Sequence, residues 1–142
     1  MLTRTEHPIK ALFFDFAPSN TVKIQDMIQD LPFLEIDGSV YCLEKLEERI
    51  LEKKINLVII NVCLKLASGK YSPDLTIERI KQINPDCRIM LCKSHIGPLL
   101  RKVYLHQGFD WVVDKSVQMK KIPQILEDIS KEMDVEEVLI AC

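Results

Sequence analysis

No stretch of this chain approaches the roughly 20 consecutive apolar residues that span a bilayer, which excludes a membrane-spanning helix. The N-terminus has no signal-peptide pattern, because Arg4, Glu6, His7 and Lys10 interrupt any apolar run. Neither sign of charge is in excess: the formal net charge is -2 at pH 7, with both signs spread along the chain. The basic face of a nucleic-acid-binding domain is therefore missing. No Cys-x-x-Cys pair occurs among Cys42, Cys63, Cys87, Cys92 and Cys142. His7, His95 and His106 have no metal-ligand spacing with one another or with the cysteines. There is no nucleophile–base pairing and no Gly-rich phosphate cradle, so an enzyme is not expected. Together these absences predict a cytoplasmic protein with reduced thiols and no role at membranes or on nucleic acid.

What is present fits one soluble domain. The chain has 142 residues, 47% of them apolar and 28% charged, enough for one sizeable core and too few for two. Residues 1–8 read as a leader ending at Pro8, residues 9–133 as the domain, and residues 134–142 as a C-terminal tail, either an extension of the last helix or a linker.

Short apolar runs alternate with longer amphipathic ones. Strands are expected over Ala11 to Phe16, Phe33 to Val40, Ile55 to Val62, Cys87 to Cys92 and Phe109 to Val113. Asp37-Gly38 marks a turn or bulge in the second. The third is apolar on both faces, the mark of a strand covered on both sides. Helices are expected from Val22 to Leu31, capped by Ser19 or Asn20, and from Leu43 to Leu51. A third runs from Ser72-Pro73-Asp74 to Ile83, and a fourth is opened by Gly97-Pro98 and closed by Gly108. A fifth carries Ile122, Ile125, Leu126, Ile129 and Met133. Such alternation predicts an α/β fold: a doubly wound, five-stranded parallel sheet of order 2-1-3-4-5 with helices on both faces.

Three of the runs end in polar residues: Phe13-Phe14-Asp15, Leu57 to Asn61 and Val112-Val113-Asp114-Lys115. A fourth, Ile89 to Cys92, ends in a thiol. In open α/β sheets the carboxyl ends of the strands line the site. The segment Gly108-Phe109-Asp110-Trp111-Val112-Val113-Asp114-Lys115-Ser116 resembles the Gly-x-Asp-x-aromatic-x-x-Lys-Pro stretch of response-regulator receiver domains, the phospho-accepting modules of bacterial two-component signalling. Asn84-Pro85-Asp86 is similar to a junction of the same family. The resemblance covers roughly residues 9–133 and implies the flavodoxin-like receiver fold.

It also implies a site. Family members carry an aspartate at the end of strand three that takes a phosphoryl group from a kinase histidine. Two acids after strand one hold Mg²⁺. A Ser/Thr after strand four and a Lys after strand five contact the phosphoryl group. Here Lys115 matches the lysine and Asp15 the first acid, but Phe16 stands at the second and Asn61 at the phospho-acceptor. Cys92 takes the Ser/Thr position, with Ser94 two residues on. Lys65 stands where a proline usually follows strand three, Val112 at the aromatic switch position beside Trp111, and Ser116 at the proline after the lysine.

An amide is a far weaker nucleophile than a carboxylate and brings no charge to a cation that prefers anionic oxygens. Asp15 alone makes a weak metal position, so no cofactor and no ordinary Mg²⁺-dependent phosphorylation are expected. Lys115 is expected to bond Asp15 or Asn61 across the cleft. The implied role is a degenerate receiver that works through protein contacts with a histidine kinase, an output domain, another signalling protein or a second copy. Its surface would be helix four, strand five and helix five. Two alternatives stay open. One is a receiver with a non-standard acceptor or Mg²⁺ site. The other is a flavodoxin-like domain that binds a small ligand or senses redox state through Cys63 and Cys92. Ala17-Pro18-Ser19-Asn20, without glycine, argues against a nucleotide.

Overall fold

In the doubly wound sheet, the inner strands are buried on both sides and successive side chains feed two separate cores. A computed structural model describes residues 9–15, 18–61 and 73–141. The strands are β1 (Ile9–Phe14), β2 (Leu34–Val40), β3 (Leu57–Asn61), β4 (Arg88–Lys93) and β5 (Trp111–Asp114). The helices are α1 (Pro18–Ile28), α2 (Leu43–Lys53), α3 (Pro73–Ile83), α4 (Pro98–Gln107) and α5 (Ile122–Ala141). A one-turn helix, Lys115–Gln118, and a 3-10 turn, Met119–Lys121, join β5 to α5. All strand pairs are parallel, and the order is β2-β1-β3-β4-β5, as expected.

Leu12, Phe14, Val58, Ile60, Leu91 and Val112 point to one face, where they meet Leu46 and Ile50 of α2 and Ile77 and Ile80 of α3. Ala11, Phe13, Leu57, Ile59, Met90 and Val113 point to the other, against Ile24 and Ile28 of α1 and Ile122, Leu126 and Ile129 of α5. All five residues of β3 are buried, which is why its run has no polar alternation. Full burial of each such Leu, Ile or Phe contributes about 1.5–3 kcal/mol.

The edge strands are closed by arginines. The register of β2 on β1 slips between Ala11 and Phe13, so Asp37-Gly38 is a bulge, with Gly38 at φ 111°. Arg49 of α2 donates to the Asp37 carbonyl at 2.9 Å and to its carboxylate at 2.7 Å. On the opposite edge, Arg101 of α4 donates to the Val112 carbonyl of β5. Each guanidinium occupies a backbone acceptor that an incoming strand would need. At the end of α4, Gly108 sits at φ 117°, and a Cβ there would lie 3.2 Å from Ile77 Cγ2.

Two sequence expectations, both on the first helix, need correction. The first helix starts at Pro18, so Ser19 and Asn20 lie within its first turn and do not precede it as caps. It also ends at Ile28, short of Leu31. Residues 134–141 continue α5 without a break, the helical one of the two readings of this stretch. The one-turn helix after β5 was not expected; Asp114 caps it by accepting the Ser116 amide. Residues 1–8, Phe16, Lys65, Cys63 and Ser72 lie outside the described residues.

Candidate functional site at the carboxyl ends of the strands

Parallel register brings three distant segments together. Phe14 pairs with Ile60, so Asp15 and Asn61 emerge side by side from β1 and β3. Asn61 pairs in turn with Cys92, and Cys92 with Val113, two residues before Lys115. Asp15 and Asn61 are both buried, each about 1% exposed. A buried amide needs partners of opposite kinds at its two ends. Asn61 has them: Lys115 Nζ donates to its Oδ1 at 2.6 Å, and its Nδ2 donates to Asp15 Oδ2 at 3.4 Å. The order acid, amide, ammonium matches donor to acceptor throughout. An aspartate at position 61 would keep the lysine contact and lose the donor that faces Asp15.

Cys92 occupies the register position opposite Asn61 and is fully buried. Burial pushes its thiol up to about 12, against the opposing pull of the Lys115 charge. Val112 is buried on the α2–α4 face, whereas Trp111 packs on the α1–α5 face. The tryptophan therefore does not substitute for an aromatic at position 112. Among the described residues, no group of three or more His, Cys, Asp or Glu side chains converges as a metal site would.

Asp114 is marked by the sequence only as a polar strand end. Its carboxylate accepts from the His95 amide at 3.0 Å, the Ile96 amide at 3.0 Å and the Ser116 amide at 2.9 Å. The Ser116 hydroxyl adds a fourth bond at 2.5 Å. That hydroxyl first, and then the backbone amides, hold the Asp114 carboxyl down at about 2, although burial works the other way. His95 adopts φ 60°, a left-handed conformation that costs a non-glycine residue about 1 kcal/mol or more. The available signal was Asp-x-Ser, a local capping pattern; the capture of the amides 18 and 19 residues upstream has no sequence signature.

No protein-family model matches the chain. A short stretch of 46 residues is 37% identical to a tRNA threonylcarbamoyladenosine dehydratase from Haemophilus influenzae, covering 32% of this chain and 18% of that protein. Solved structures match over nearly the whole chain. A signal receiver domain from Vibrio parahaemolyticus superposes with a TM-score of 0.74 at 15% identity, covering 93% of this chain and 97% of that one. A CheY-like response regulator receiver domain protein from Methanospirillum hungatei gives 0.69 at 13% identity, with 91% and 98% covered. A two-component response regulator from Clostridium difficile gives 0.68 at 18% identity, with 87% and 97% covered. The chain thus has the fold of response-regulator receiver domains, a five-stranded flavodoxin-like sheet with helices on both sides. Among the described residues, no helix is long and apolar enough to cross a membrane.

Proposed function

We propose that this domain is an atypical receiver of a two-component response regulator that signals through protein contacts and not through a phosphoryl group. The observation that carries this reading is the 2.6 Å bond from Lys115 to the Asn61 amide oxygen. The lysine that would meet a phosphoryl group is bonded to the side chain that stands where the acceptor would be. The amide nitrogen faces the remaining acid, so the described polar groups complement one another without a ligand.

The same geometry disfavours Mg²⁺. A small divalent cation asks for near-octahedral oxygen ligation with anionic ligands. Here the described residues offer the Asp15 carboxylate and an amide oxygen that already faces an ammonium. The thiol alternative gains no support from Cys92, whose raised pKa leaves almost no thiolate at neutral pH.

The partner would be a histidine kinase, an output domain, another signalling protein or a second copy of the chain. The surface of α4 and the turns that follow β5 suits this: α4 carries Leu99, 78% exposed, and exposed Lys102, and the turns between β5 and α5 carry Val117, 73% exposed, and exposed Lys120. Incubation with a small-molecule phosphodonor and Mg²⁺, followed by intact mass measurement, tests the reading. The expected mass is unchanged. Stoichiometric gain of one phosphoryl group would show instead a receiver with a non-standard acceptor.

A further inference from the structure

Apolar burial holds α4 only weakly. It contributes no fully buried residue, and Leu100 and Tyr104 pack half-buried against the core. Its exposed side carries Leu99, Val103 and Leu105. Something else must fix its position, and the polar contacts around it are dense. Lys93 Nζ, at the end of β4, donates to Tyr104 Oη at 2.8 Å. Arg101 reaches the Val112 carbonyl and donates to Gln118 Oε1 at 2.9 Å. The same Gln118 oxygen accepts the Asp114 amide at 2.9 Å.

At the head of α4, the Asp114 carboxylate takes the amides of His95 and Ile96, the two residues before Gly97. One buried anion thus ties the β4–α4 loop to the first turn after β5. Hydrogen bonds to a charged acceptor are about twice as strong as neutral ones, and leaving such an acceptor buried without donors is costly. The unfavourable φ of His95 fits this account, because the loop accepts local strain to turn its amide toward Asp114. Asp114 lies next to Lys115 in sequence, yet the four bonds to its carboxylate involve none of the cleft side chains Asp15, Asn61 and Lys115.

We propose that Asp114 is a positioning residue that pins the β4–α4 loop and α4 to the end of β5, holding the face carried by α4 and β5 in one arrangement that does not follow changes in the cleft. This deepens the proposed function and rests on it for the view that the face is presented to partners without phosphoryl transfer. The pinning itself is a separate physical claim with its own readout.

The test is residue-resolved amide hydrogen exchange on the full chain, with β1 and β3 amides as the internal measure of global opening. In Asp114→Ala, amides of His95, Ile96 and α4 should exchange about 10-fold faster or more, beyond any change in β1 and β3. Asp114→Asn, which keeps one acceptor oxygen, should recover part of that protection and serves as the working variant if alanine unfolds the domain. In Asn61→Asp, which alters only the cleft, exchange over residues 95–107 should rise no more than it does in β1 and β3. Unchanged exchange over residues 95–107 in both Asp114 variants would overturn the pin. An acceleration there in Asn61→Asp beyond that of β1 and β3 would overturn its independence from the cleft. A phosphoryl mass gain with the Asp114 effects intact would defeat the proposed function and leave the pin standing.

Discussion

Replacing Asn61 with aspartate is the most informative perturbation of the cleft. The new oxygen would sit where Nδ2 now lies, 3.4 Å from Asp15 Oδ2. With an effective dielectric of about 20, two like charges at that separation repel by about 5 kcal/mol. Lys115 at 2.6 Å from the other oxygen returns about 6 kcal/mol on the same scale. The two terms nearly cancel, leaving the loss of a hydrogen bond to a carboxylate and the desolvation of a second charge. The variant should therefore be less stable than the natural chain by about 1–3 kcal/mol at pH 7 without divalent cation.

The same substitution gives a cation a second anionic ligand. At ten times its dissociation constant, Mg²⁺ would stabilise the variant by about 1.4 kcal/mol, a rise in melting temperature of about 3–6 °C. Thermal unfolding with and without Mg²⁺ reads both effects. The natural chain should show no such rise. Equal Mg²⁺ responses in the two proteins would refute the reasoning, as would a variant that loses no stability in the absence of the ion.

Lys115→Met strips the buried Asn61 oxygen of its donor and should cost about 1–2 kcal/mol, seen in urea as a lower midpoint at unchanged slope. The Asp114 carboxyl, held at about 2 against an ordinary 3.8, stays ionised in the folded chain after the unfolded chain has taken up its proton. Its contribution is thus complete above pH about 4 and is lost as pH falls through about 2. Asp114→Asn should be less stable than the natural chain at pH 7, and the gap should narrow between pH 4 and pH 2 in denaturation series. A constant gap would mean the charge contributes nothing. Cys87 and Cys92, both with thiols pushed up to about 12, should resist alkylation at pH 8 until the chain is unfolded. Half-buried Cys42 should label first of these. Rapid labelling of native Cys92 would revive a redox role.

The strand order was legible because its signals are local and strong. Five apolar runs separated by amphipathic stretches leave few topologies, and the unbroken apolar run Leu57 to Ile60 belongs at the centre. The meeting of Asp15, Asn61 and Lys115 followed from parallel register once strand ends were marked by polar residues. Element ends were less legible. Pro18 can open a helix as well as Ser19 or Asn20 can cap one, and only backbone geometry decides. The stretch after Met133 mixes acids with valine and leucine, a pattern equally suited to a linker or to more helix. Asp114 was the significant omission. A carboxylate that gathers amides from a loop 18 residues away performs a tertiary task, and no spacing along the chain announces it. Lys65, Phe16 and Cys63 fall outside the described residues, so their sequence readings have no structural counterpart.

The central proposal is that the described polar groups of the cleft bond one another and that the domain takes up no phosphoryl group with its cation. Titration with beryllofluoride and Mg²⁺, followed through the backbone and side-chain amide resonances of Asn61 and the backbone amides of Cys92 and Lys115, tests it most directly. The account predicts resonances that stay in place across the titration. Saturable shifts at these positions, one equivalent bound per chain, would contradict it.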